Sequence, residues 1–456
     1  MPKKKKINFY LAIGSLVLLL GSLGWFLALI FEGEKPGIEL SPLPDYISSE
    51  GKFTLTALDM KRGLKALRVS VRQEGREITL LEKRFPFKGL LNSEGAHRFD
   101  TEFSIDPLKL GLAQGRMDLE VRIWDYSRRS GGDGNLALVQ HKMVVDTIPP
   151  AIRAVSRMHF INVGGSGLVV YQASSDSVES GLFVNKVFFK GFPVNRGPRE
   201  GLHVCYFAIP YDTKPNPDIY LWAKDRAGNC SRGGFYCHVR RKRFRTDRIN
   251  ISDGLLKRVL AYFPDYPFDP GSDEINRFLE INRVLRQKNT SVFYDLMGQE
   301  LSPARLWEGT WLRLKNAATM AKFADHRLYY YKGKLVDEQV HLGVDLASLA
   351  NSEVQAANSG RVIFAGNLGI YGLTVVLDHG QSLASIYSHM SRMDVVPGDE
   401  VDKGKTLGLT GRTGLAGGDH LHFGVMVGSV FVNPLEWWDN HWIRDNITRK
   451  LALLDK

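Results

Sequence analysis

His341-Leu342-Gly343-Val344-Asp345 opens and His420-Leu421-His422-Phe423 closes the stretch on which the reading of this chain turns, with Tyr387-Ser388-His389 between them. Short alternating runs fill the interval: Arg361-Val362-Ile363-Phe364-Ala365, Leu373-Thr374-Val375-Val376-Leu377 and Ser385-Ile386-Tyr387-Ser388-His389. Glycines punctuate them, among others Gly360, Gly366, Gly372, Gly380, Gly398 and Gly404. Period-two alternation broken by glycine predicts a compact, hairpin-rich β domain. On a strand, side chains two apart share a face. His420 and His422 then project together, with Leu421 turned to the apolar side. By the same rule Tyr387 and His389 share a face, and His341 and Asp345 fall on one side, closer still if the chain turns at Gly343. Neutral imidazole nitrogens and carboxylate oxygens are metal ligands, and three of them beside an open position make a site that acidifies water. The stretch can supply three ligands and leave two histidines for moving protons.

Outward from this stretch, the N-terminus is the most informative part. Lys3-Lys4-Lys5-Lys6 precedes an uncharged run from Phe9 to Ile30. At about 1.5 Å per helical residue the run spans roughly 30 Å, a hydrocarbon thickness. It stays bulky to its end, with no small-residue cleavage site, which reads as an uncleaved signal anchor at 9–31 behind a basic cytoplasmic tail at 1–8. The lysines favour the cytoplasmic side, placing the bulk of the chain outside the membrane. The net charge of +11 suits acidic surfaces such as lipid headgroups or wall polymers. Nucleic acid is not expected as a partner outside the membrane.

Two β-rich modules follow, at 37–147 and 151–240, separated by Asp146-Thr147-Ile148-Pro149-Pro150. Two prolines cannot donate to a ladder and stiffen an extended connection. Each module has a late strand, an Asp and a Gly-Asn turn: Val121–Asp125 with Gly134-Asn135, and Tyr220–Asp225 with Gly228-Asn229. Recurrence at one module's spacing suggests a tandem repeat, and both modules resemble bacterial immunoglobulin-like sandwiches. Cys230 and Cys237 are close enough in sequence to bridge a short hairpin, leaving Cys205; sequence does not decide the pairing. A basic and helical linker at 241–309 is expected to hold two helices, one capped by Ser252 and one beginning at Ser272-Asp273-Glu274. They read as a packing collar without chemistry of their own. The expected fold is mainly β: an N-terminal transmembrane helix, two β-sandwich modules, a helical linker, a C-terminal β domain at 310–436 and a peripheral helical tail at 437–456.

The C-terminal domain resembles the lysostaphin-type, LytM-like zinc endopeptidases that cut peptidoglycan peptides. The matching pieces are His341-x-x-x-Asp345, Val375-Val376-Leu377-Asp378-His379-Gly380 and Tyr387-x-His389. They continue with Val396-Pro397-Gly398-Asp399-x-Val401-x-Lys403-Gly404, Thr410-Gly411-x-Thr413-Gly414 and His420-Leu421-His422-Phe423. The resemblance covers about a quarter of the chain. It implies one zinc ion held by His341, Asp345 and His422, with His389 and His420 acting on water and transition state. Peptidoglycan would be the substrate, the bacterial inner membrane the address, and cell-division or wall-synthesis proteins the partners that such a position offers. Gly424 departs from the family, standing where many members carry an acidic residue; an effect on the strand edge is expected there. His379 reads as structural, and His326 and His441 as surface residues. An alternative is a non-catalytic member of the family that activates a wall amidase. A phosphocarrier of similar hairpin-rich architecture is disfavoured by export and by the HxxxD pair.

Overall fold

The computed structural model describes residues 2–194 and 200–455, with side chains from residue 7 onward. The Lys3–Lys6 side chains, read above as orienting the first helix, and residues 195–199 of the second module lie outside the described residues. Strands make up 42% of the chain and helices 18%, so it is mainly β. Pro2–Ile30 is one helix. Its portion Ile7–Ile30 is long and apolar enough to cross a membrane, and Leu16, Leu18, Leu19 and Leu20 stand exposed along it. The chain forms two compact units, Met1–Pro149 with Arg226–Asn229, and Pro150–Asp225 with Cys230–Lys456.

In the first unit, one sheet orders the strands Tyr46–Ile47, Leu136–Val145, Gly115–Asp125, Leu64–Gln73 and Arg76–Arg84. The other orders Gly37–Ser41, Gly51–Leu58 and Arg98–Ile105. Phe53, Leu55 and Ala57 of the smaller sheet meet Leu67, Val69, Val71, Leu119, Val121 and Ile123 of the larger in one core. The alternation seen in the sequence is thus the in–out alternation of a two-layer sandwich. Strand Gly115–Asp125 ends on a buried Asp125 whose Oδ1 accepts from the amides of Ser127 and Asn135. Strand Ile219–Asp225 of the second unit ends on an equally buried Asp225, so the recurring Asp closes the same kind of strand in both.

The second unit begins with two four-stranded sheets. One orders Phe192–Pro193, Leu202–Ala208, Ser166–Ala173 and Ile152–Ala154; the other orders Val187–Lys190, Ser177–Val184, Ile219–Asp225 and Cys230–Gly233. Cys230 and Cys237 do not bridge a hairpin. Cys230–Gly233 pairs with Ile219–Asp225, whereas Cys237–Arg240 leaves to run parallel to His159–Asn162. Cys237 remains a thiol, its pKa pushed up to about 11 by burial. Strands Thr246–Ile251, His326–Tyr331 and Lys334–Val340 form a further sheet. Between its first two strands lie the helix Asp253–Leu260, capped by Ser252 Oγ on the amide of Leu255, and the helix Glu274–Glu280, capped by Asp273. The latter continues through a π-turn, Ile281–Leu285, into Arg286–Met297.

The C-terminal sheet orders Ala318–Ala321, Val344–Ala347, Leu421–Val427, Leu383–Met390, Leu373–Asp378, Gly360–Asn367 and Glu400–Val401, with Val430–Val432 paired to Leu421–Val427. It shares one hydrophobic core with the β module before it. Tyr206 of that module lies 6.3 Å from Trp307 and 6.4 Å from Trp437 by ring centroids, and Trp311 packs on Trp437 at 4.9 Å. The tail is helical but not peripheral: Trp437, Ile443, Ile447 and Leu454 are buried in the same core, because every third or fourth residue is apolar.

Glu436 joins the module to the C-terminal domain. It is buried, and its Oε2 accepts from the amide of Ser166 at 2.9 Å. Burial raises its pKa to about 7, so between the ordinary carboxylate range near 4.5 and pH 7 the folded chain holds a proton that the unfolded chain has released. Stability contributed here is therefore lost as pH rises through that window. Glu436→Gln is expected to flatten the fall in Tm between pH 5 and about 7.5, a range set by this shift. Parallel Tm–pH curves for both proteins would remove the assignment.

Candidate metal centre and its cleft

Three neighbouring strands carry the centre. Asp345 on Val344–Ala347 pairs with His422 on Leu421–Val427, which pairs with Ser388 on Leu383–Met390. Directly paired residues share a face, so Asp345, His422 and Ser388 point one way, while Val344, Phe423 and Tyr387 point into the core. Tyr387 and His389 do not share a face, contrary to the alternation rule. Val375 pairs with Tyr387 but Leu373 pairs with Met390, so Thr374 faces both Ser388 and His389. This is a β-bulge, and His389 adopts φ 63° within it. The bulge turns His389 back to the side of His422, their ring centroids 5.9 Å apart, and 4.8 Å from that of His420. Tyr387 hydrogen-bonds instead to Ala357 and Ser385.

His341 reaches the same place from the end of the hairpin before Val344. Its Nε2 lies 2.9 Å from Asp345 Oδ1 and 2.9 Å from His422 Nδ1, and His422 Nδ1 lies 2.9 Å from Asp345 Oδ1. Gly343 makes this possible by its size, not by a turn: a Cβ there would stand 2.6 Å from His422 Nε2 and 2.7 Å from the carbonyl of Phe423. Gly343→Ala is expected to push the His422 ring out of the triangle while the sheet still forms, read as loss of metal binding at near-native circular dichroism. Retained metal binding would show that the ring has room to adjust.

The proton positions follow from the carbonyls. His341 Nδ1 donates to the carbonyl of Lys322 at 2.9 Å, His389 Nδ1 to that of Thr413 at 2.8 Å and His420 Nδ1 to that of Gly418 at 2.8 Å. In the neutral form each therefore presents a bare Nε2. For His341 that bare nitrogen faces the Asp345 carboxylate, lone pair against lone pair, at 2.9 Å. A proton or a metal ion between the two atoms relieves such a contact. The three atoms form a nearly equilateral triangle, above which a point can lie at the roughly 2.0–2.2 Å of Zn–N and Zn–O bonds. The donor set of two imidazoles and a carboxylate thus fits a divalent ion.

Burial and charge set the protonation of the surroundings. Burial would raise the pKa of Asp345, but His341 and the other imidazoles hold it well below the usual carboxylate range. Burial pushes His422 down to about 4, and burial reinforced by His420 and His422 pushes His389 well below the ordinary imidazole range. Burial also opposes charge on His420, yet Asp345, 3.6 Å away, outweighs it and raises its pKa.

Sequence reading missed Arg327. Its Nη2 donates to Asp345 Oδ2 at 2.8 Å, so one carboxylate oxygen is fixed by the guanidinium while the other faces the imidazoles. The signal available was a lone cation in the aromatic strand His326–Tyr331, one of the strands that wall the centre. His379 is structural as expected, buried between the carbonyl of Ser359 and Ser385 Oγ. His326 and His441 are exposed as expected. Gly424 is not at a strand edge: it pairs with Ile386 on an inner strand of the sheet, and a Cβ there would make ordinary contacts with that residue.

The centre opens into a cavity of about 400 Å³. One wall holds His341, Asp345, His389, His420 and His422; the other holds Ile249, Leu255, Val259, Phe278 and Arg286. The helices between 253 and 297, read from sequence as a collar, thus line the cleft.

A β-sheet domain with a His/His/Asp centre on the wall of a cleft has the donor set that can hold a divalent ion. Residues 339–434 match Peptidase family M23, and the chain carries an M23 domain there. Over 97 residues it is 32% identical to the DD-carboxypeptidase/endopeptidase Mpg of Neisseria meningitidis serogroup B, covering 21% of this chain and 22% of that protein. Over 110 residues it is 34% identical to the murein hydrolase activator EnvC of Escherichia coli, covering 24% and 26%. The chain thus spans about a quarter or less of the length of these curated relatives. Among solved structures, the catalytic domain of the antimicrobial peptidase lysostaphin from Staphylococcus simulans is similar at 28% identity and a TM-score of 0.25, covering 29% of this chain and 98% of that one.

Proposed function

We propose that the chain is a zinc metalloendopeptidase that hydrolyses peptide cross-links or stem peptides of peptidoglycan. The observation that carries this is the triangle of His341 Nε2, Asp345 Oδ1 and His422 Nδ1, whose lone pairs converge at 2.9 Å on a cleft wall. These three residues would hold one zinc ion. Bound zinc supplies Lewis-acid activation of the scissile carbonyl and of water. His389 and His420 do the proton work. Each has its Nδ1–H tied to a backbone carbonyl, so Nε2 is the working nitrogen. One imidazole accepts the proton of the attacking water; the other, protonated, donates to the carbonyl oxygen as negative charge builds there. The leaving amine recovers the proton as the C–N bond breaks. Arg327 orients Asp345 through its hydrogen bond to Oδ2, the part that an outer hydrogen-bond partner plays at a metal site.

The family match supports this chemistry, and the endopeptidase among the relatives supports the substrate class. The helix Ile7–Ile30, behind its basic start, supports a single-pass anchor in the bacterial inner membrane with the bulk of the chain outside it. The second reading, a non-catalytic activator of a wall amidase, is favoured by the likeness to EnvC; it leaves His389 and His420 without a task. Full chain in detergent, dialysed against zinc and weighed by elemental analysis, should hold one ion per chain. A chain that binds none removes the metallopeptidase reading.

A further inference from the structure

The cleft contains an arginine that the proposed chemistry does not use. Four fixed charges line it: Arg327, Asp345, Asp419 and Arg286. Arg327 and Asp345 neutralise each other at 2.8 Å. Asp419, on the opposite rim, accepts from Thr410 Oγ1 at 2.7 Å and from the amide of Asn351 at 3.2 Å. Arg286 has no carboxylate partner among the described residues. Its Nε donates to the Asn282 carbonyl at 3.0 Å and its Nη2 to Asn282 Oδ1 at 2.6 Å. Asn282 is itself fully buried and pinned, its Nδ2 donating to Asp337 Oδ2 at 2.7 Å. The guanidinium is therefore held in place with donors to spare, since it has five.

The helix is shaped to aim it. Eight residues separate Phe278 from Arg286, and at about 100° per residue a regular α-helix would set them about 80° apart. The π-turn Ile281–Leu285 lies between them and absorbs roughly one residue, which reduces that angle to about 20°. Both side chains then face the cleft, beside Leu255 and Val259 of the preceding helix. Tyr371, whose ring is 5.7 Å from that of His422, lines the same cavity. Arg286 is half-buried in this wall, so its spare donors are open to a ligand that enters the cleft.

We propose that Arg286 is a specificity-determining residue that binds a free carboxylate of the peptide in the cleft. The preferred substrate is then an anionic peptide, and its amidated form is discriminated against. This rests on the endopeptidase reading above. Planar, bidentate pairing of guanidinium with carboxylate is the geometry that gives such discrimination.

The test uses full chain in detergent and two cross-linked wall-peptide dimers, identical except that the free carboxylates of one are carboxamides in the other. A charge-assisted hydrogen-bond pair of this kind is worth about 10–100-fold in affinity. The unmodified chain should prefer the carboxylate peptide by about that factor in kcat/KM, and Arg286→Gln should remove the preference through KM, leaving the amidated peptide within about threefold. Arg286→Lys should restore part of it. The two peptides are compared on one protein sample, so a general loss of fold lowers both and does not mimic the result. Binding of the same two peptides, read by fluorescence anisotropy, is measured alongside. If neither peptide is cut but the carboxylate form binds more tightly and Arg286→Gln abolishes that difference, the endopeptidase reading fails and the subsite stands. Equal effects of Arg286→Gln on both peptides, or none on the carboxylate form, overturn the proposal.

Discussion

His422→Ala is expected to abolish peptide hydrolysis, by at least about 10³-fold, and to remove the metal with it. The ring closes two of the three 2.9 Å edges of the donor triangle, so alanine leaves His341 and Asp345 as a two-point site open to solvent. A factor of 10³ corresponds to about 4 kcal/mol of lost transition-state stabilisation, which is reasonable where the entire Lewis acid is removed. His422 lies on an inner strand, and its replacement also leaves a small void, so the fold control matters. His379→Ala provides it. That ring is as deeply buried and hydrogen-bonded at both nitrogens, but it faces Trp311, at 4.4 Å, rather than the donor triangle. It should lower Tm at least as much as His422→Ala while the metal content stays near one per chain. Equal metal loss in both variants would mean that the centre responds to fold alone.

The second large effect separates chemistry from metal binding. His389→Ala and His420→Ala are each expected to lower kcat by about 10²–10⁴-fold, the range for loss of a positioned proton-transfer group, with metal still bound. Neither ring belongs to the triangle, and their centroids are 4.8 Å apart on its open side. If they act as a pair on one proton path, the double variant should fall little below the single ones. Elemental analysis beside steady-state kinetics checks both parts. A variant that loses metal, or one that keeps full kcat, would take that histidine out of the proton path.

Much of this centre could be read along the chain. The HxH spacing placed His420 and His422 together because period two is a property of any strand, and His341 with Asp345 followed from one more short segment. What failed were statements that needed a neighbour. Tyr387 and His389 looked co-facial because the bulge opposite Thr374 is a matter of cross-strand register, which alternation within one strand does not reveal. Gly343 read as a turn residue, but its role is the space it leaves for a ring 79 positions later. Arg327 and Arg286 enter the site from segments whose local patterns announce only an aromatic strand and a helix. The helices after Ser252 were legible as helices from their caps, yet which cleft their apolar face covers depends on the sheet that forms around them. Likewise the tail was expected to be a peripheral helix, because nothing along the chain shows that a core receives Ile443, Ile447 and Leu454.

The central claim is that the His341–Asp345–His422 centre makes this chain a hydrolase of wall peptides. Sacculi incubated with the zinc-loaded full chain, and analysed by mass spectrometry of the muropeptides, test it most directly. The account predicts that cross-linked or full-length stem peptides are shortened at amide bonds, that chelation stops the reaction and that zinc restores it. Unchanged muropeptides, with a purified wall amidase stimulated by the same protein and indifferent to chelation, would contradict it.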